Sequence, residues 1–271
     1  MRKLIVLSLV TFLCLSSVAY AASIGGAETQ GQGKVGIGLD QEFVFDRDMK
    51  VKSTGFEADG GETFELKTGI DKMYRTMVKT SYGLFDGLDV YIKLGTADFE
   101  SKSKYTWRDT ATGDWDIGNW KMKGDNAFAY GFGMKGKYEF ENDWFIGCDV
   151  QYLTHKNDFK GTDSWEDSDG DSDVESIKGE VTFQEWQIAP YVAKRIGNFI
   201  PYFGIKYSDL RQKHTIKWEG DPEGEKVKTK ADDNVGVFVG TDYKINDAWS
   251  LNLEGRFIDE TAISLACGFK F

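Results

Sequence analysis

The last ten residues, Ala262 to Phe271, alternate without a break. Ile263, Leu265, Cys267, Phe269 and Phe271 are apolar, and Ser264, Ala266, Gly268 and Lys270 between them are small or polar. A period of two places the first set on one face of a strand and the second set on the other. The strand runs to the final residue, where chains ordinarily fray. A strand in that place needs a cover for its apolar face and partners for both of its edges.

The same period recurs upstream. Val35, Ile37, Leu39, Phe43 and Phe45 share one face of a first strand, Lys34 to Phe45. Four hairpins follow, with tight turns near residues 86, 142, 197 and 246. Asp86-Gly87 is a strong short-turn signal between Tyr74–Leu84 and Leu88–Leu94, both strictly alternating. The later pairs are Phe128–Tyr138 with Trp144–Tyr152, Trp186–Arg195 with Phe199–Ser208, and Val235–Tyr243 with Trp249–Phe257. Between hairpins lie polar segments, at about 46–71, 97–126, 155–180 and 209–233. The sum is about ten antiparallel strands with both chain ends on one side, short turns on that side and long loops on the other. Pro190 and Pro201 fall inside strands, where a residue without an N–H predicts a local bulge.

The N-terminus has the anatomy of a secretory signal peptide. Arg2 and Lys3 precede an apolar run, Leu4 to Leu15, and Ala19-Tyr20-Ala21 is a small-x-small cleavage site. The run is too short to span a bilayer as a helix, which takes about 20 residues. Residues 1–21 are therefore expected to be removed, residues 22–32 to form a flexible leader, and residues 33–271 to form the barrel. The whole chain carries 33 Lys and Arg against 44 Asp and Glu, and loss of Arg2 and Lys3 makes it more acidic still. Nucleic acid is excluded as a partner on that balance, because phosphate binding needs a basic surface. Cys148 and Cys267 fall on apolar faces of distant strands, which predicts two free thiols.

This organisation resembles the Gram-negative outer-membrane β-barrels, in particular the small OmpA-barrel and opacity-protein-like porin superfamily. The resemblance rests on the signal peptide, the repeated hairpins and the closing strand that ends in Phe271. It implies an all-β, antiparallel up-and-down transmembrane barrel with short periplasmic turns, long extracellular loops and both termini in the periplasm. It also implies that Ile263, Leu265, Phe269 and Phe271 form the signal read by the barrel-assembly machinery. The partners it implies are membrane lipid and lipopolysaccharide, with periplasmic chaperones during biogenesis, and the expected state is a monomer.

Alternation alone leaves open a soluble barrel with its apolar face inside. The opposite face favours the membrane reading. Arg75, Lys79, Asp89, Lys93, Lys135, Asp149, Glu254 and Arg256 are of mixed sign and would neutralise one another in an interior. About ten strands leave little space once such side chains are packed, so a plugged or narrow lumen is expected. The function that follows is a structural or surface-interaction role. A small-solute pore is the alternative, and an outer-membrane protease or lipid-modifying enzyme a lesser one.

Candidate chemistry is sparse. Asp167, Asp169, Asp171 and Asp173 lie in an acidic stretch that suggests a weak divalent-cation site. With Gly170 at the sixth position of a calcium loop, however, Trp165 would be first and Ser176 twelfth, and neither is the carboxylate needed. A solvated acidic loop is the plainer reading. The two histidines, His155 and His214, lack the Asp-x-His arrangement of the ten-stranded omptin proteases. No Gly-rich phosphate loop, CxxC or HExxH motif is present, and no cofactor or catalytic residue is implied.

Overall fold

The computed structural model of the chain describes residues 23–53, 62–218 and 224–271. The expected signal peptide lies outside the described residues. Twelve antiparallel strands form one sheet: β1 Val35–Ser53, β2 Glu62–Phe85, β3 Leu88–Asp109, β4 Trp115–Gly124, β5 Ala127–Glu139 and β6 Trp144–Asp167, then β7 Ser172–Lys194, β8 Phe199–Trp218, β9 Glu225–Ala231, β10 Val235–Lys244, β11 Trp249–Phe257 and β12 Thr261–Lys270.

The count exceeds ten because two staves of the barrel are interrupted. β3 pairs with β5 from Leu88 to Ala97 and with β4 from Glu100 to Arg108. β6 holds the same two segments from its other side. β4 and β5 are thus one line broken at residues 125–126. Asn157 seals that break from inside, donating to the carbonyls of Asp125 (2.7 Å) and Ala97 (2.8 Å). β9 and β10 likewise follow β8 in succession and are broken at residues 232–234.

The ring closes twice, with different strand numbers. Near the tight turns, β12 pairs with β1 from Gly36–Lys270 to Val44–Ala262, giving ten strands. Higher up, the hairpin of β11 and β12 has ended, and β9 pairs directly with β1 from Met49–Ala231 to Ser53–Lys228. The upper part therefore has eight strands, β1, β2, β3, β4, β6, β7, β8 and β9. We call this upper part the tower and the opposite rim the turn end.

The four long connections, read from sequence as polar loops, are largely strand. The tower is built from them, and the remaining links at 110–114 and 168–171 are short. The misreading has a physical cause, a change in which face is apolar. In the lower barrel the outward positions are apolar, as with Val78, Tyr82, Ile92, Leu94, Phe132 and Ile205. In the tower the inward positions are apolar, as with Phe99, Trp120, Phe159, Val181, Phe183 and Leu210. Charged residues move from inside to outside at the same level. A strand that exchanges faces loses the apolar set by which it was recognised, and only the lysines and acids of its new outer face remain obvious.

Phe128, Tyr152, Trp186 and Tyr207 mark the upper edge of the outward apolar band, with Tyr152 and Trp186 rings 4.7 Å apart. Trp249, Phe269 and Phe271 mark its lower edge, with successive ring centroids 4.8 Å apart. Such girdles sit where amphipathic rings prefer the bilayer interface. The bulge expected at Pro190 and Pro201 is absent. Ile188–Tyr207 and Tyr191–Gly204 keep one register, and the ladder only skips Ala189 and Pro190 between them.

Candidate functional site

The interior is the place where this chain concentrates its chemistry, and it is layered. At the turn end, residues 23–32, part of the stretch 22–32 read from sequence as a flexible leader, fold into the lumen. Three lysines from the wall hold them by their backbone. Lys93 donates to the Ser23 carbonyl (2.9 Å), Lys79 to that of Ile24 (3.1 Å), and Lys135 to those of Ile24 (2.6 Å) and Gly26. The Ala27 amide donates to Asp242 (2.8 Å), and Tyr191 donates to the Ala27 carbonyl (2.7 Å). Ile24 and Ala27 pack against Phe145, Ala189, Ile200, Tyr202 and Phe238. Gly83 makes the close passage possible, since a Cβ there would lie 1.9 Å from the Gly31 carbonyl oxygen.

Glu28 fastens the segment to the rim. Its carboxylate meets Arg195 (2.6 Å), Lys137 (2.6 Å) and Lys244 (3.4 Å). Burial opposes its ionisation, but those cations outweigh burial and hold the carboxyl at about 2, against an ordinary 4.5. Glu139 at the same rim meets Arg195 (2.6 Å) and Lys137 (2.8 Å). A cavity of about 390 Å³ remains beside the leader, lined in part by Asp40, Lys79, Asp89, Lys135, Asp242 and Asn252.

Above the leader lies a belt of four cations and four anions. Arg75 donates to Glu42 (2.6 Å) and Glu185 (2.9 Å), and Arg47 donates to Glu185 (2.6 Å) and Glu260 (3.2 Å). Lys206 pairs with Asp259 (2.9 Å) and Glu260, and the Arg256 Nε lies 2.8 Å from Glu260. Ser208 adds a hydroxyl to Glu185 (2.6 Å). All eight charged side chains are at most 5% exposed. Asp259 and Glu260 form the tip of the β11–β12 hairpin, folded inward while Ile258 stays outside with φ of +86°. The belt thus fixes the point where the ring contracts from ten strands to eight. Matching of sign is what allows it to be buried, because an unpaired buried charge is far costlier than a paired one.

Above the belt the tower is filled by an apolar core that includes Ile70, Met73, Phe99, Trp120, Phe159, Phe183 and Ile216. Phe99 and Phe183 meet edge to face at 5.0 Å.

The structure places all eight sequence-derived interior residues inside and buried. Arg75 and Arg256 enter the belt. Lys79, Lys93 and Lys135 hold the leader, Asp89 accepts from the Gln30 amide (2.9 Å), Asp149 accepts from Tyr91 (2.7 Å), and Glu254 accepts from Tyr202 (2.9 Å). Sequence reading missed Glu42, Arg47, Glu185, Lys206, Asp259 and Glu260 of the belt. Arg47, Glu185, Asp259 and Glu260 lie just outside the strands read from sequence, so the alternation that marks an inward position was not followed that far, whereas Glu42 and Lys206 lie inside such strands and were passed over. Ile263, Leu265, Phe269 and Phe271 lie on the outer wall, with Ile263 and Phe271 exposed.

Asp167, Asp169, Asp171 and Asp173 are not brought together. Asp167 instead accepts from the amides of Asp169 and Asp171 (both 3.0 Å), closing the β6–β7 turn, while the other three point into solvent. Among the described residues no group of three or more His, Cys, Asp or Glu is arranged to hold a metal ion. The histidines are interior. His155 stacks on Phe183 at 4.4 Å with its Nδ1 2.6 Å from the Asn157 oxygen, and His214 lies 2.9 Å from Gln212. Asn157 uses its amide to donate elsewhere, so its oxygen accepts and His155 Nδ1 carries the proton.

Residues 110–266 match the family profile described as outer membrane protein beta-barrel domain. The chain belongs to that family. It is an integral outer-membrane barrel by that membership and by its outward apolar band. Among solved structures it is similar to the outer membrane protease OmpT from Escherichia coli, at 14% identity and a TM-score of 0.56, over 87% of this chain and 96% of that one. The Pseudomonas putida toluene transporter TodX aligns at 11% identity and a TM-score of 0.42, over 94% of each chain. The outer membrane protein OprG from Pseudomonas aeruginosa aligns at 12% identity and a TM-score of 0.33, over 90% of this chain and 99% of that one. These likenesses concern the fold. No curated protein matches the chain.

Proposed function

We propose that this barrel is a closed surface protein of the outer membrane, with its turn end and termini in the periplasm and its tower outside. Its role is structural or one of surface interaction, not passage of solutes and not catalysis. The observation that carries this reading is the interior itself. Leader, ion belt and apolar core succeed one another along the lumen, the leader held through its backbone by wall lysines, the belt by buried ion pairs and the core by apolar packing. A solute would have to displace all three. Both histidines are engaged inside the wall with amide oxygens, which supports a non-catalytic reading.

Solute exclusion tests this directly. Vesicles reconstituted with the folded barrel and diluted into isotonic arabinose should keep their volume as protein-free vesicles do. Swelling at a rate that scales with protein content would sink the proposal.

A further inference from the structure

The far end of the tower holds a carboxylate inside a box of aromatic rings. Phe64 near the start of β2, Tyr105 on β3 and Trp218 at the end of β8 pack on the apolar core and stay half-buried, with Trp120 of the core among them. The rings follow one another around the mouth, with centroids 6.0 Å apart for Phe64 and Tyr105, 5.3 Å for Tyr105 and Trp120, and 6.3 Å for Trp120 and Trp218. Asp163 on β6 lies between them and is 4% exposed. Tyr105 donates its hydroxyl to one carboxylate oxygen (3.3 Å), and Trp218 donates its indole N–H to the other (3.3 Å). Tyr105 reaches Asp163 across β4 because residue 118 is glycine, where a Cβ would lie 2.1 Å from the Tyr105 ring.

No cation of the chain answers this charge. Burial pushes the Asp163 carboxyl above its ordinary value, and the aromatic donors offset that only in part. Asp163 stands directly opposite Glu175, and Asp116 directly opposite Asp167. Like charges directly opposite on neighbouring strands are destabilising. None of these four acids has a Lys, Arg or His within 4 Å among the described residues. The segments 54–61, 110–114, 168–171 and 219–224, which join the tower strands, contain eight acids and no Lys, Arg or His.

The surroundings select which cation fits. A calcium ion takes about six to eight oxygen ligands, and no group of three or more His, Cys, Asp or Glu among the described residues is arranged to hold a metal. A primary ammonium brings three N–H donors, whereas both Asp163 oxygens already accept from Tyr105 and Trp218. A quaternary ammonium has no donor to satisfy. It gains from ring faces within about 6 Å and from an uncompensated carboxylate close by. We propose that the mouth of the tower binds a quaternary ammonium ion, with Phe64, Tyr105 and Trp218 as its walls and Asp163 as its counter-charge. The acids around the mouth favour a free cation such as choline over a phosphocholine headgroup, whose phosphate they repel. This rests on the surface role and orientation proposed above and names a ligand class for them.

The test titrates the folded barrel in a maltoside detergent, at constant ionic strength, and reads tryptophan fluorescence. The probes are choline, its neutral isostere 3,3-dimethylbutan-1-ol, and phosphocholine. Choline should give a saturable change, the alcohol none, and phosphocholine a weaker one. Asp163→Asn keeps the shape and should weaken choline on the order of tenfold or more at low salt. Phe64→Leu removes one ring while keeping every tryptophan, and should weaken it roughly two- to thirtyfold. The heat-modifiable gel shift checks that each variant folds. Glu175→Gln, at an exposed position, should weaken choline about twofold and melt higher than the wild type without ligand, because its opposed charge is gone. No saturable response to choline, an equal response to the alcohol, or affinity unchanged in all folded variants would overturn the proposal through its ligand. An equal or tighter response to phosphocholine would overturn the choice of a free cation. Impermeant maleimide should also label Ser168→Cys on intact cells. Absence of labelling, with choline binding in detergent intact, would overturn the proposal through its orientation.

Discussion

Replacing Glu185 by Gln isolates the contribution of the ion belt. Glu185 accepts from Arg47 (2.6 Å), Arg75 (2.9 Å) and Ser208 (2.6 Å), and its side chain is 5% exposed. Gln keeps the shape and removes one charge, leaving four buried cations against three anions. Breaking a buried pair on one side costs about 3–5 kcal/mol. Here Arg75 retains Glu42 at 2.6 Å and Arg47 retains Glu260 at 3.2 Å, which places the loss at the lower end, about 3 kcal/mol. The companion variant Glu185→Gln/Arg75→Gln restores the balance of sign. It should recover at least about 1 kcal/mol relative to the sum of the two single losses, the coupling expected of residues in one network. Urea titration in phospholipid vesicles, read by tryptophan fluorescence and by the gel shift, gives both numbers. A Glu185→Gln barrel within about 0.5 kcal/mol of wild type would refute the reasoning, since a belt wet enough to tolerate the change is not a seal.

The rim and leader give further tests. Because Glu28 is held near 2 when folded and titrates near 4.5 when unfolded, its contribution to stability is full above pH 4.5. It should fade as pH falls from 4.5 toward 2, and Glu28→Gln should flatten that part of the unfolding profile. Gly83→Ala places a methyl against the Gly31 carbonyl, so Ala27→Cys in that background should react with an aqueous maleimide that does not label Ala27→Cys alone. Gly95→Ala, whose Cβ would come 1.9 Å from the Thr76 carbonyl oxygen, should lower stability by about 1–3 kcal/mol through backbone displacement in β2 and β3. Deleting Phe271, whose amide donates to the Val35 carbonyl (2.9 Å), should slow barrel assembly in cells and reduce the heat-modifiable fraction.

The lower barrel was legible because its outward positions are apolar and most of its inward charges lie between them. From Tyr74 to Leu84 and from Leu88 to Leu94, Val78, Tyr82, Leu84, Ile92 and Leu94 face out and Arg75, Lys79, Ser81, Asp89 and Lys93 face in, with Met77 and Tyr91 the inward exceptions, so the alternation gives the strands and which residues share a face. The tower was not legible, because that pattern reverses there. Phe159 and Phe183 face inward, whereas Tyr152 and Trp186 on the same strands face outward. A search for one continuous apolar face stops at the reversal and reports a loop. Ile177, Val181 and Phe183 still alternate, so a second period-two run of opposite phase was available as a signal. The belt escaped for a related reason. Asp259 and Glu260 look like an ordinary polar connection, and only the contraction of the ring turns them inward. The leader escaped because small residues and glycines read as flexible, although the same smallness lets Gly25, Gly26 and Ala27 thread between lysines of the wall.

Conductance of single barrels in a planar bilayer tests the closed lumen most directly. Wild-type protein inserted from detergent should add no steady current across the accessible voltage range. A chain shortened to begin at Gly33 should behave the same, because the belt and the tower core remain when the leader is gone. A stable, ohmic open level in the wild type would contradict the account at its centre.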